Sequence, residues 1–340
     1  GFFIEAGTGQ ADMAQVARVL SSGLDRARRD ERDVTVKDPL FQWFAALALA
    51  GLGESHAQQD PHYTQYMYNM NVINPAYAGS REMLNFTAMH REQWVGFDGA
   101  PRSTTFSAHS PLRYESVGLG FTAVNDRVGP MNQTMIYADF SYTVRFSKKR
   151  KLSFGLKGGI NMINLTTSSL VTTDQNDPKL TQNTVNHINP NFGAGIYYHS
   201  PRFFIGASTP KFIEQSLDGT RPTNLERRHL YGIIGGIIPV SADWKLRPSG
   251  QIKMTAGAPI SIDLSLAVIY ADKLWLGTLY RHNAALGAYI QYQISNQFKI
   301  GIASDFGTQA MRNYNNGTFE VLMSYDMNFR KEGIRSPRYF

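Results

Sequence analysis

Eight histidines, at positions 56, 62, 90, 109, 187, 199, 229 and 282, are the side chains best suited to proton transfer or metal ligation. No two of them form an H-x-x-x-H pair, the spacing that sets two imidazoles on one helix face around zinc. His62 and His90 therefore read as ordinary polar positions. His199-Ser200 and His109-Ser110 each put a base beside a hydroxyl, the pair that a lipid-hydrolysing barrel would use. Adjacent strand residues point to opposite faces, however, so neither pair can act as a dyad. Asp174, Asn176 and Asp177 resemble half of a calcium loop, but the remaining ligands are not spaced to complete it. The chain has no cysteine, which removes thiolate nucleophiles, disulfides and Cys-based metal sites. Neither G-x-S-x-G nor G-x-x-x-x-G-K-[ST] occurs. These residues point to a non-enzyme that needs no cofactor and no metal.

The charged side chains carry a different message. The net charge is +7, yet the basic residues are scattered apart from Lys148-Lys149-Arg150-Lys151, which reads as a solvated turn between two strands. Nucleic acid is not the expected partner. Lys157, Asp263, Glu320 and Asp326 instead fall inside strand patterns, among small or polar neighbours. On a soluble sandwich that face would be solvent; in a membrane barrel it is the lumen.

The elements that must position these charges are strands. From Leu84 onward apolar and polar residues alternate with period two, the mark of a strand with one apolar face. In 135–146 Ile136, Ala138, Phe140, Tyr142, Val144 and Phe146 oppose Tyr137, Asp139, Ser141, Thr143 and Arg145. The pattern predicts strands at 84–90, 103–110, 117–124, 133–146, 151–163, 191–199, 202–208, 229–240, 244–254, 260–270, 273–281, 284–294, 297–304 and 318–327. About fourteen strands, an even number, suit a closed single-chain barrel. Their length fits the roughly 9–11 residues needed to cross a bilayer at a tilt. Glycines at 155, 158, 159, 193, 195, 232, 235 and 236 are expected to ease curvature. The stretches 164–190 and 210–228, rich in Thr, Asn, Asp and Pro, read as extracellular loops. The expected fold is an all-β transmembrane antiparallel barrel over 84–340. Its lumen is either open or blocked by inward Tyr137, Arg145, Lys157, Tyr197 and Tyr289.

The front of the chain divides in three. Residues 40–53, LFQWFAALALAGLG, are an apolar run too short for a membrane helix of about 20 residues. It fits the core of a secretory signal over 36–57, with Ser55-x-Ala57 as the small residues read by signal peptidase and Gln58 as the mature terminus. Residues 1–35 form a charged stretch that does not belong before a signal and read as an upstream extension, with Val36-Lys37 as a natural start. Residues 58–83 do not read as a strand of ordinary register. They are expected at the periplasmic mouth or inside the lumen as a partial plug.

Three blocks resemble the PorP/SprF family, outer-membrane barrels associated with the type IX secretion system of Bacteroidetes. The first is Gln59-Asp60-Pro61-x-Tyr63-Thr64-Gln65-Tyr66-Met67-x-Asn69 with Asn74-Pro75-Ala76-Tyr77-Ala78-Gly79. The second is Arg91-x-Gln93-Trp94-x-Gly96-Phe97-x-Gly99-Ala100-Pro101, and the third is the tail Ser336-Pro337-Arg338-Tyr339-Phe340. The likeness covers Gln58 to Phe340. It implies a non-enzymatic protein of a Gram-negative outer membrane that supports secretion or surface attachment of a large adhesin, including gliding adhesins. The implied partners are a secreted adhesin with a type IX sorting domain, periplasmic ring components of the secretion machinery, and outer-membrane lipid. Asp60, Pro61, Tyr63, Gln65, Tyr66, Asn69, Asn74, Pro75, Tyr77, Gly79, Arg91, Gln93, Trp94, Phe97 and Pro101 become candidates for partner binding or for the plug. Trp94, Phe97 and Pro101 read first as interfacial anchors, with a recognition surface as the alternative. Tyr339 and Phe340 read as the barrel insertion signal. The rival function is a transport barrel that passes or binds a small solute.

Overall fold

The computed structural model describes residues 60–112, 116–147, 149–166, 184–216, 225–308 and 315–327. The expected upstream extension and signal peptide, the Asp174–Asp177 stretch, and Tyr339 and Phe340 lie outside the described residues.

Strand formation follows the alternation, with the usual soluble arrangement inverted. In β4 (Met131–Ser147) the apolar Phe140 and Tyr142 are about half exposed, whereas Asp139 is 2% and Ser141 0% exposed. In β13 (Ser261–Tyr270) Leu264 and Leu266 face out while Asp263 and Ser265 are buried. Apolar residues cover the outside and polar residues the inside, as lipid on one side and a polar interior on the other require.

The remaining long strands are β1 (Leu84–Glu92), β2 (Arg102–Pro111), β3 (Val117–Val128), β5 (Arg150–Thr166), β6 (Thr184–His199) and β7 (Phe203–Thr209). They are followed by β10 (His229–Gly236), β12 (Trp244–Thr255), β14 (Leu274–Arg281), β15 (Ala285–Gln293), β16 (Phe298–Gly307) and β17 (Thr318–Met327). Each is antiparallel to its neighbours, and β1 pairs with β17 from Leu84↔Met327 to Glu92↔Phe319. Pairing of β10 with β12 completes a closed barrel of fourteen strands. The two-residue β11 (Ile238–Pro239) continues along β12 after β10. A separate pair, β8 (Gln215–Ser216) and β9 (Leu225–Glu226), lies in the connection between β7 and β10.

The strands match the alternation closely, with two differences. Arg145, expected in the lumen, is exposed near the end of β4, where the register with β5 shifts between Arg145 and Ser147. The stretch 164–190 is also shorter as a loop than its composition implies, because β5 runs on to Thr166 and β6 begins at Thr184. Pro190 is tolerated inside β6 because pairing with β7 begins only at Ala194. Among the described residues β5 is the one strand paired with β6 at Pro190, the edge situation in which a missing N–H costs no ladder bond.

The two ends of the barrel differ. Connections at 148–149, 200–202, 240–243, 271–273 and 294–297 make a turn end. The longer connections 93–101, 167–183, 210–228 and 308–317 all lie at the opposite loop end.

Candidate functional site

Residues 60–83 run through the interior. Asp60 is placed by residues of the loop end. Its backbone N–H donates to His229 Nε2 (3.3 Å), and Lys211 Nζ and the Tyr231 hydroxyl donate to its carboxylate (2.5 and 3.1 Å). Lys253 Nζ donates to its carbonyl oxygen. At the far end Arg81 pairs with Asp326 at 3.5 Å and Glu82 with Lys151, both at the turn end, and Leu84 then opens β1. The segment therefore traverses the barrel from loop end to turn end before the first strand starts.

Its local structure comes from turn formers. A 3-10 turn at Tyr66–Tyr68 leads into a single helical turn, α1 (Met70–Ile73), and a second 3-10 turn at Pro75–Tyr77. Asn74 caps that last turn by accepting from the Ala76 N–H at 3.0 Å, with Pro75 at the position where a missing donor is harmless. The Asn74 amide donates to the Ile196 carbonyl across the lumen at 3.0 Å.

Most of the first-block residues are matched to the inner wall. The Thr64 and Gln65 N–H groups donate to the two oxygens of Glu320 at 2.5 and 3.0 Å, and Gln291 donates to Gln65 Oε1 at 2.8 Å. Asn69 donates to Thr105 (2.6 Å) and accepts from Ser107 (3.1 Å). Lys157 pairs with Asp139 at 3.3 Å and donates to the carbonyls of Asn71 and Val72. The Tyr66 hydroxyl donates to Ser249 at 3.4 Å. Tyr77 packs edge-on against His109 and Tyr197, and Gly79 N–H donates to His109 Nδ1 at 3.1 Å. Tyr63, Tyr66, Met67, Met70 and Tyr77 belong to the hydrophobic core inside the barrel.

Close approach to the segment accounts for two glycines, Gly155 and Gly118. A Cβ at Gly155 would sit on the backbone of Pro75 and Ala76, and one at Gly118 on the Ala78 carbonyl. Gly158 and Gly232 meet nothing nearby.

The second block divides. Arg91 is 3% exposed and pairs with Asp305 (3.0 Å) and with Glu320. Gln93 and Trp94 line two cavities at the loop end, of about 430 and 390 Å3. The larger also takes in Arg281 and His282; the smaller takes in Asp60, Pro61, Pro101 and Glu226. His62 borders both. Phe97, at the tip of the β1–β2 connection, is 45% exposed.

The electrostatics hold the start of the segment in place. Burial pushes the Asp60 carboxyl up, but Lys211, His229 and Lys253 outweigh it and hold it below the usual carboxylate range. For Lys211 burial acts downward, and Asp60 and Glu226 outweigh it, so its pKa is raised. Burial, with Lys253 and Arg281 next, holds His62 well below its ordinary value, so it is neutral and its Nε2 accepts from Lys253 at 3.1 Å.

Sequence reasoning gave no role to Lys211, His229, Lys253 or Asp305. Lys253 and Asp305 stand at inward positions of β12 and β16, so the alternation could have found them. Lys211 lies past the end of β7, where no periodicity marks it. The histidine pairs behave as strand geometry demands. His109 accepts from Gly79 while Ser110 donates to the Pro111 carbonyl, and Ser200 donates to the Phe203 carbonyl. Among the described residues no group of three His, Asp or Glu side chains is arranged to hold a metal.

Residues 55–325 match the family described as type IX secretion system membrane protein PorP/SprF. The chain belongs to the PorP/SprF family. As such it is an outer-membrane β-barrel of a secretion system, a non-enzymatic kind of protein. No curated protein matches this family member. Among solved structures it is similar to the CymD monoaromatic hydrocarbon channel, at 12% identity over 84% of this chain and 99% of that one, with a TM-score of 0.49. The Acinetobacter baumannii outer membrane protein Omp33 is similar at 8% identity, over 72% and 99% of the two chains, with a TM-score of 0.43. A Pseudomonas aeruginosa FadL homologue is similar at 13% identity, over 82% and 98%, with a TM-score of 0.41.

Proposed function

We propose that this PorP/SprF barrel is a closed docking platform that reaches the outer membrane through a cleaved signal peptide. It would hold a large secreted adhesin with a sorting domain, including gliding adhesins, or ring components of the type IX machinery. The observation that carries this reading is the lumen itself: residues 60–82 cross it and hydrogen-bond to its wall along their length. A lumen occupied along its length by this segment weighs against the transport reading and leaves the ends of the barrel for recognition. Of the two ends, the loop end has the larger relief. Gln93, Trp94 and Pro101 border its cavities and Phe97 projects beside them, a grouping of aromatic and amide side chains suited to a polypeptide partner.

The test is mild-detergent recovery of the tagged protein from native outer membranes, with mass spectrometry of its companions. Recovery of a very large secreted protein with a sorting domain, or of ring components, supports the proposal. A barrel that comes out alone and carries steady ionic current in a planar bilayer would replace it with the transport reading.

A further inference from the structure

The direction in which residues 60–83 cross the barrel has a consequence for the topology of the whole protein, independent of which partner binds. Asp60 is tied to Lys211, His229, Tyr231 and Lys253, all of them at the loop end. His229 is the first residue of β10, and Lys253 stands two positions from the end of β12. Arg81 and Glu82 are tied to Asp326 and Lys151, at the turn end. Single-chain outer-membrane barrels keep short turns in the periplasm and long connections outside the cell. We infer that the segment begins at the cell-surface mouth, where Asp60 stands, and then passes inward to the periplasmic end.

Three observations make this a fixed arrangement. The start of the segment is pinned by an ion pair and hydrogen bonds from three separate stretches: the connection after β7, the start of β10 and the end of β12. Its middle is matched donor to acceptor with β1, β2, β15 and β17, so sliding along the lumen would break several buried hydrogen bonds together. Its last turn is held where Gly118 and Gly155 let backbone approach backbone. The segment is also continuous with β1, and β1 closes the ring against β17. The barrel must therefore close around a segment of its own chain whose first residue described, Asp60, stands at the outer mouth. Asp60 and Pro61, so placed, border the smaller cavity lined by Gln93 and Trp94, and the start of the segment becomes part of the surface offered to an extracellular polypeptide.

The absence of cysteine makes the test direct, because one introduced thiol is the only one in the protein. Gln59→Cys is compared with Asp98→Cys in the β1–β2 connection and Ala242→Cys in the β11–β12 turn, using a membrane-impermeant maleimide on intact cells. Heat-modifiable mobility confirms that each variant is folded. The expected result is that Gln59→Cys and Asp98→Cys label fully on intact cells, whereas Ala242→Cys labels only after the outer membrane is permeabilised. A Gly-Ser-Cys insertion after Gln58 carries the thiol further from the wall and guards against local shielding. Labelling of both amino-terminal variants only after permeabilisation, together with Ala242→Cys, would overturn the inference. So would silence of both on intact cells while Asp98→Cys reacts, or surface labelling of Ala242→Cys in place of Asp98→Cys.

Discussion

Arg91 and Glu320 face each other across the seam where the first strand meets the last, and their ion pair is almost wholly buried in the lumen. Glu320 has a second duty, since its two oxygens accept from the Thr64 and Gln65 N–H groups of the segment that crosses the barrel. One carboxylate thus joins barrel closure to occupation of the lumen.

Glu320→Ala leaves the Arg91 guanidinium with Asp305 as its one close carboxylate and strips two backbone donors of their acceptor. Breaking a buried pair by removing one partner costs about 3–5 kcal/mol. The midpoint of heat-modifiable mobility should fall clearly, and Glu320→Gln, which keeps an acceptor oxygen for the segment, should fall less. Equal midpoints for wild type and Glu320→Ala would contradict the double role.

Gly155→Ala forces a methyl group onto the Pro75–Ala76 backbone, whereas Gly158→Ala, three positions along β5, places one where nothing lies within 4 Å. Overpacking of this kind costs about 1–3 kcal/mol. The first substitution should lower the unfolding midpoint and expose the segment to protease; the second should leave both unchanged. The reverse order would mean that these glycines serve curvature after all.

Asp60 should give the start of the segment a pH dependence of known sign. Its folded pKa lies below the unfolded value of about 3.9. The stabilisation is therefore present above that value and is lost as pH falls through it toward the folded pKa. Between about pH 5 and 3 the wild-type unfolding midpoint should drop more steeply than that of Asp60→Asn, which has no carboxylate to protonate. Lys211, whose pKa is raised, keeps its charge throughout that window. Parallel curves for the two proteins would show that Asp60 contributes nothing through its charge.

Trp94→Ala and Phe97→Ala should reduce co-purification of the secreted partner while leaving heat-modifiable mobility unchanged. Trp94 is half-buried and Phe97 exposed. Retention of the full partner yield by the double variant would move recognition away from the β1–β2 connection.

The parts legible in the sequence were those written locally. Each of the fourteen barrel strands announced itself through alternation, and the polar face bearing Lys157, Asp263 and Glu320 was identifiable as interior because every second residue of a strand shares one face. The blocks around Tyr63–Asn69, Asn74–Gly79 and Arg91–Pro101 marked the segments that matter, without saying which of their residues meet the barrel's own wall and which face outward.

That division was decided by tertiary structure. Arg91 and Trp94 stand three positions apart in one block, yet the first is sealed in the lumen and the second borders the outer cavities. No local pattern separates them, because the difference depends on Asp305 and Glu320, more than 200 positions away, arriving opposite Arg91 when the ring closes. The direction of the amino-terminal segment has the same origin. Its turn formers specify a compact run of 3-10 and helical turns wherever it lies, and only the partners at its two ends, Lys211 and His229 for Asp60 and Asp326 for Arg81, orient it within the barrel. The sequence by itself determined a barrel with a polar interior, because period-two alternation is a short-range property of the chain. What fills that interior, and from which side, is a matter of long-range complementarity that exists only once the barrel is closed.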